Sequence, residues 1–269
     1  MSIEQIIILA LVQGITEFLP ISSSGHLILI PVLTGWKDQG LITDVMVHMG
    51  SFVAVLVYFW RDVIKLTKGG LDLLRLKMSV NARMALWIIL ATIPAVIFGL
   101  YVKKTGLIDS VRGAEIVAWN AIIFGILMYL ADRFGPRIKR MEDIKLPTAL
   151  AIGVAQAVAI IPGTSRSGIT MTAGRALGMT RPEAARFSFL LGIPAIAGAG
   201  VLVLSEAVAA GETISNDAIL AAILTFFSAL AAIAFLMALI KRVSFLPFVI
   251  YRLALGLFLL WLIHNGTIA

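Results

Sequence analysis

Gln13-Gly14-Ile15-Thr16-Glu17-Phe18-Leu19-Pro20-Ile21-Ser22-Ser23-Ser24-Gly25-His26 interrupts an apolar region that runs from residue 5 to 34, and Pro162-Gly163-Thr164-Ser165-Arg166-Ser167-Gly168 interrupts a second, from 147 to 180. The uninterrupted pieces are roughly 8–15 residues long, short of the ~20 apolar residues that cross a bilayer as one helix. Irregular backbone at membrane depth survives only where it is buried in protein or lines a wet cavity. Each region therefore reads as a re-entrant helix pair, and the tips of the two pairs are expected to meet inside the protein.

The rest of the chain reads as membrane-spanning. Hydrophobic residues make up 60% of its 269 positions and charged residues 14%, where a soluble domain carries about a quarter charged. The mean hydropathy is +1.00, so too little polar surface exists to clothe a water-exposed globule. Six stretches suit full spans: 44–60, 84–102, 114–131, 187–205, 218–240 and 245–263. No basic segment precedes the first apolar run, Met1-Ser2-Ile3-Glu4 onward, and a cleaved leader is not expected. With no cysteine, disulfides and thiolate metal sites are excluded. The net charge of +7 reflects cytoplasmic loops rather than a nucleic-acid partner. Arg61, Lys65, Lys68, Arg75, Lys77 and Arg83 lie in one loop, Arg133, Arg137, Lys139, Arg140 and Lys145 in another, and Lys241 and Arg242 between the last two spans. Counting six spans and two non-crossing pairs puts all three on one side, with both termini on the other. The 103–113 loop, with Lys103, Lys104 and Arg112, fits this pattern least well. Thr180-Arg181-Pro182-Glu183 reads as a capping box opening the fourth span.

The two halves repeat. A shift of 143 lays Gln13 on Gln156, Ser22 on Ser165, Ser24 on Ser167, Gly25 on Gly168 and Gly35 on Gly178, and Gly50 meets Gly192 one residue short of that offset. Each half, about 1–140 and 141–269, holds one re-entrant pair and three spans. Three crossings is an odd number, so the second half is inverted. The fold class expected is an all-α polytopic membrane protein, six full transmembrane helices plus two re-entrant helix pairs in an inverted-topology repeat. Such architectures bind ligands near the bilayer midplane.

The chemistry is concentrated in the two breaks. Glu17, Arg166 and His26 are ionisable groups in apolar surroundings, and a charge at the centre of a membrane helix costs about 2.5–3.5 kcal/mol on insertion scales. A cost of that size marks a functional site. The guanidinium of Arg166 matches a phosphate, and Gly163, Thr164, Ser165, Ser167 and Gly168 suit an anion cradle at a helix N-terminus. Glu17, with Gln13 one turn earlier, supplies hard oxygen ligands for Mg²⁺ or Ca²⁺. Ser22, Ser23 and Ser24 are candidate nucleophiles, with His26 as proton acceptor or as the attacking group. Asp44 reads as a helix N-terminal residue and His48, one turn on, as a candidate for the cavity wall. Arg252 reads as buried or snorkelling, able to meet a lipid headgroup.

These two stretches resemble the signature regions of the bacterial undecaprenyl-diphosphate phosphatases of the bacitracin-resistance type. Gln13–His26 is similar to an acidic element running into a Ser-rich turn and a His, and Pro162–Thr170 to a Pro-Gly-x-Ser-Arg-Ser-x-x-Thr element. Phe59-Trp60-Arg61, Phe187 to Leu191, and Pro247-Phe248 with Tyr251-Arg252 extend the likeness over residues 5–263. The resemblance implies hydrolysis of undecaprenyl (polyprenyl) diphosphate to the monophosphate and inorganic phosphate, recycling of the cell-wall lipid carrier and bacitracin tolerance. It implies a multi-pass protein of the bacterial inner membrane, a periplasm-facing site and a divalent cation. Its partners are the polyprenyl diphosphate and membrane lipid, with a homodimer allowed and no nucleic acid. Carried over, Glu17, Ser23, His26 and Arg166 are catalytic, Gly163, Ser165, Arg166, Ser167 and Thr170 bind phosphate, and Glu17 and Gln13 hold the metal. Ser23 would attack and His26 take its proton. Two positions depart from the pattern: Gln13 stands where many members have Glu, and His48 where Gln is expected. The Ser24-Gly25-His26 and Ser165-Arg166 pairs mimic another membrane lipid-phosphatase family, which needs a His soon after its Ser-Arg; here the next is His264. The alternative function is a polyprenyl-phosphate flippase or anion transporter, which needs neither nucleophile nor base.

Overall fold

The computed structural model describes residues 1–37, 39–107 and 113–268, without the side chains of Ser24, Ile28, Val32, Leu33 and Val208. Arg112 of the 103–113 loop and the Ser24 hydroxyl therefore lie outside the described residues.

Among those residues the secondary structure is helical: α1 (Ile3–Phe18), α2 (Ser23–Thr34), α3 (Leu41–Tyr58), α4 (Trp60–Leu74), α5 (Val80–Thr105), α6 (Ala114–Phe134), α7 (Leu146–Val158), α8 (Arg166–Ala176), α9 (Arg181–Ala209), α10 (Asn216–Leu239) and α11 (Leu246–His264), with a short 3₁₀ turn at Met141–Asp143. Six of these, α3, α5, α6, α9, α10 and α11, are long and apolar enough to cross a membrane, in the places the sequence reserved for spans. Between 28% and 44% of each span's apolar window is buried within the chain. The remaining apolar surface, including Val201, Phe227, Leu257 and Trp261, needs lipid as its solvent. The chain is a multi-pass membrane protein.

The interrupted regions form short helices. α1 and α2 have 16 and 12 residues, α7 and α8 have 13 and 11. At about 1.5 Å per residue even α1 spans only ~24 Å. α1 packs on α2 and along α10; α7 packs on α8 and along α5. Each short pair thus lies against a span from the other half of the sequence. α3 meets α9 and α10, and α6 meets α11.

The two turns share one backbone. Ser22 (φ 77°, ψ 94°) and Ser165 (φ 71°, ψ 112°) are both left-handed, and each side chain caps the helix it precedes, accepting from Gly25 N and Gly168 N. Among described non-glycine residues only Leu76 shares that sign of φ. Such a conformation in a non-glycine residue costs on the order of 1–3 kcal/mol and persists only where its surroundings enforce it.

One enforcing group is Arg252 of α11. Its side chain is fully buried, and its guanidinium donates to five backbone carbonyls: Ala121, Asn120, Gly163, Thr164 and Pro20. Of the two expectations the buried one holds, and that of reaching a lipid headgroup is corrected, because the guanidinium is turned inward onto both breaks and α6. A hydrophobic core gathers around α9, where Phe189 meets Phe18 edge-on at 5.3 Å and Phe59 at 5.8 Å. The former contact pins the end of α1, and with it Glu17. The capping box at Thr180 is also corrected. Thr180 N donates to Lys139 O, and Glu183 accepts from Met141 N at 3.0 Å, so Glu183 ties α9 to the preceding loop.

Candidate active site

The residues that close the two breaks converge on one cavity of about 700 Å³. Its polar end is formed by Glu17, Ser22, Ser23, Asp44, His48, Ser165 and Arg166, and its flanks by Leu27, Pro31, Ile160, Ile196 and Val203. Ser23 and Arg166 are the first residues of α2 and α8. Two helix N-termini therefore face the same space, each bringing a positive dipole end and unpaired backbone N–H groups. That arrangement attracts anions.

Glu17 is the hub. It is buried in the last turn of α1. Its Oε1 accepts from Arg166 Nη2 at 2.8 Å. Its Oε2 accepts from Ser23 Oγ at 2.6 Å and from Gln13 Nε2 at 3.1 Å. His48 Nε2 stands 3.7 Å from the same oxygen. The i, i+4 spacing of Gln13 and Glu17 on α1 puts both on one face, and the left-handed Ser22 turns the chain back so that Ser23 meets that face.

Arg166 holds its second prong free. Nη2 is spent on Glu17, while Nη1 is buried with no hydrogen-bond partner among the described residues. The guanidinium lies against α9 where Gly192 leaves room: a Cβ there would sit 1.8 Å from Nη1. A buried unpaired guanidinium N–H is costly, and an anionic oxygen in the cavity would satisfy it.

The other expected site residues stand apart from the cavity wall. His26 has both ring nitrogens engaged, Nδ1 with Ser22 O at 2.7 Å and Nε2 with Tyr251 Oη at 2.6 Å. A carbonyl only accepts, so the ring proton is on Nδ1 and Nε2 receives the Tyr251 hydroxyl. Ser23 and His26 are thus not hydrogen-bonded. Ser167 donates to Leu19 O across the two breaks. Thr170 bonds to Arg166 O and to Ser188 of α9. Gly163, with φ +84°, packs against the Val117 backbone. Asn120 Nδ2 donates to Pro162 O at 2.8 Å. These groups hold the turns from behind. Sequence reasoning missed Asn120, a lone amide with no local signal, and read Gly192 only as the repeat partner of Gly50, without its contact to Arg166.

Among the described residues no three His, Cys, Asp or Glu side chains cluster as a ready metal site. Oxygen donors for a cation are nevertheless present. Gln13 is fully buried and its Oε1 has no hydrogen-bond partner among the described residues, next to the carboxylate of Glu17.

The family model described as bacitracin resistance protein BacA matches residues 6–258. The chain belongs to the BacA family. Relatives agree over the whole length. A protein of Erythrobacter litoralis (strain HTCC2594) named undecaprenyl-diphosphatase is 50% identical over 97% of this chain and 99% of its own. One of Ruegeria pomeroyi (strain ATCC 700808 / DSM 15171 / DSS-3), with the same name, is 48% identical over 98% and 100%, and one of Jannaschia sp. (strain CCS1) is 49% identical over 97% and 98%. The match covers both breaks, five whole spans and most of the sixth, so the residues lining the cavity lie inside the matched region.

Proposed function

We propose that this chain hydrolyses undecaprenyl diphosphate to undecaprenyl phosphate and inorganic phosphate, in the cavity where α1, α2 and α8 meet. The observation that carries the reading is the run of short contacts from Ser23 through Glu17 to Arg166: a hydroxyl, a proton acceptor and a half-free guanidinium at the mouth of two helix N-termini. The apolar flanks of the cavity suit a ligand with a charged head and a prenyl tail. The relatives' name agrees with it.

In the reaction, Arg166 Nη1 and the N-terminal amides of α2 and α8 hold the terminal phosphoryl group. Ser23 Oγ bonds to its phosphorus while the hydroxyl proton passes to Glu17 Oε2. The bond from that phosphorus to the bridging oxygen breaks, and undecaprenyl phosphate leaves. Water then attacks the phosphoserine, Glu17 returns its proton to Oγ, and inorganic phosphate departs. Phosphoryl transfer is chiefly positioning and charge stabilisation, which the two dipoles and Arg166 provide. Gln13 and Glu17, with phosphate oxygens, suit a divalent cation, Mg²⁺ or Ca²⁺, which would neutralise charge on the diphosphate.

The membrane placement belongs to the same reading. The two short helix pairs are re-entrant, and the halves 1–140 and 141–269 form an inverted repeat. Support comes from the 143-residue offset, the matching Ser22 and Ser165 turns and the reciprocal packing of α1 on α10 and α7 on α5. The chain sits in the bacterial inner membrane with the cavity facing outward. The first turns of α3 line the cavity while its far end leads into the basic α4 region, so the cavity lies away from the basic loops. Such a site would recycle the cell-wall lipid carrier and confer bacitracin tolerance. Purified protein given undecaprenyl diphosphate should release one phosphate per lipid, and Ser23→Ala should not. Lipid bound or moved across vesicles without phosphate release would favour the flippase instead.

A further inference from the structure

The geometry points to His48 as a nitrogen ligand of the cation site, giving this chain a preference for a first-row transition metal (Mn²⁺, Co²⁺ or Zn²⁺) over Mg²⁺ and Ca²⁺. The inference rests on the divalent-cation part of the function proposed above.

His48 lies on α3 one turn after Asp44, and its Nδ1 is 2.7 Å from Asp44 O. The carbonyl can only accept, so Nδ1 carries a proton and Nε2, on the cavity side, is the ring nitrogen placed to bind a metal. This is how proteins hold metal-binding imidazoles: the remote nitrogen is anchored on a carbonyl and the near one is left as a base. Nε2 faces Glu17 Oε2 at 3.7 Å. That separation exceeds hydrogen-bond reach. A cation held between the two atoms would bind both at that separation. With bonds of about 2.1 Å each, ligand atoms at that separation would subtend about 120° at a shared metal.

A third donor adjoins them. The Nε2 of Gln13 donates to the same Glu17 oxygen at 3.1 Å, the residue is fully buried, and its Oε1 has no hydrogen-bond partner among the described residues. Gln13, Glu17 and His48 so form a mixed oxygen and nitrogen set, leaving the remaining positions to phosphate oxygens and water. Mg²⁺ and Ca²⁺ take oxygen ligands, and imidazole shifts preference toward first-row transition metals. Arg166 sits on the other carboxylate oxygen, Oε1, so the carboxylate can bridge guanidinium and metal.

The test uses the full chain in detergent, stripped with EDTA and reloaded with Mn²⁺ alone. Pulsed electron paramagnetic resonance should detect coupling of bound Mn²⁺ to an imidazole nitrogen. The coupling should vanish in His48→Gln and persist in His26→Gln. His48→Gln should weaken Mn²⁺ binding by at least about 10-fold and Mg²⁺ binding by less than about 3-fold. Bound Mn²⁺ without nitrogen coupling in the wild type, or coupling that survives in His48→Gln, overturns the assignment and leaves His48 as an ion-pair partner of Glu17. Absence of any bound Mn²⁺ alongside full phosphate release in EDTA removes the cation and this inference together, while the phosphatase reading stands.

Discussion

Arg166 rests on bare backbone: its Nη1 lies 1.8 Å from the point where a Cβ on Gly192 would be. The guanidinium is the far end of a flexible side chain, so an added methyl would displace it rather than split the helices apart. Gly192→Ala should therefore cost little stability, within about 1–3 kcal/mol, yet lower phosphate release by ~10²-fold or more, the scale of a misplaced binding group. Thermal melting and turnover measured on the same preparation separate the two effects. Near-normal turnover would show that the seat on Gly192 does not position Arg166.

Charge alone should not replace that guanidinium. Arg166 serves Glu17 with one prong, and its other, Nη1, has no hydrogen-bond partner among the described residues; in the proposed reaction that prong holds a phosphate oxygen. A lysine ammonium is a point charge and cannot hold both partners in that fork. Arg166→Lys should lose about 10²–10³-fold in kcat, comparable to removing a transition-state donor. Turnover within a few-fold of wild type, read by phosphate release, would show that a single positive charge suffices.

Arg252 ties the two breaks together through Pro20 O of the first and Gly163 O and Thr164 O of the second, and anchors them on α6 through Asn120 O and Ala121 O. Arg252→Met leaves those acceptors in a dry interior, and each lost partner costs about 1–3 kcal/mol. The variant should melt well below wild type and lose activity with it. Arg252→Lys, with three donors instead of five, should fall between. A methionine variant as stable and active as wild type would mean that other groups hold the turns.

Much of this was legible in the sequence for a simple physical reason. Glu17 and Arg166 stand out because a charge inside an apolar run is expensive, and Ser22 and Ser165 because polar residues recur at one offset. The six spans follow from length and hydropathy. The orientation of side chains does not. His26 is three residues from Ser23 and looked like its base, but α2 begins at Ser23, and its first turn sends the imidazole to the Ser22 carbonyl and to Tyr251, 225 residues away. Arg252 reads from sequence as buried or snorkelling, and nothing local chooses between them or announces five carbonyls drawn from three segments. Gly192 was legible as the repeat partner of Gly50, but not as the place where the Arg166 guanidinium leans.

The group that takes the Ser23 proton is where the sequence reading and the geometry differ most. Motif spacing assigned the Ser23 proton to His26, whereas Ser23 Oγ donates to Glu17 Oε2 at 2.6 Å and both His26 nitrogens are already engaged. A hydroxyl is a weak nucleophile at neutral pH until a base takes its proton, so the group in contact with it is the one to test. Ser23→Ala and Glu17→Gln should each cost on the order of 10³-fold or more in kcat, because residues acting as one unit fail together. The double variant should be little worse than either single one. His26→Gln should cost less than Glu17→Gln, since it loosens the Ser22 turn without removing the acceptor. Rapid quench with ³²P-labelled diphosphate should leave acid-stable phosphoserine at Ser23. Acid-labile label on His26, or robust turnover by Ser23→Ala, would transfer the attack to the imidazole. A loss in His26→Gln as deep as in Glu17→Gln, with phosphoserine still formed at Ser23, would restore His26 as the base despite its contact with Tyr251.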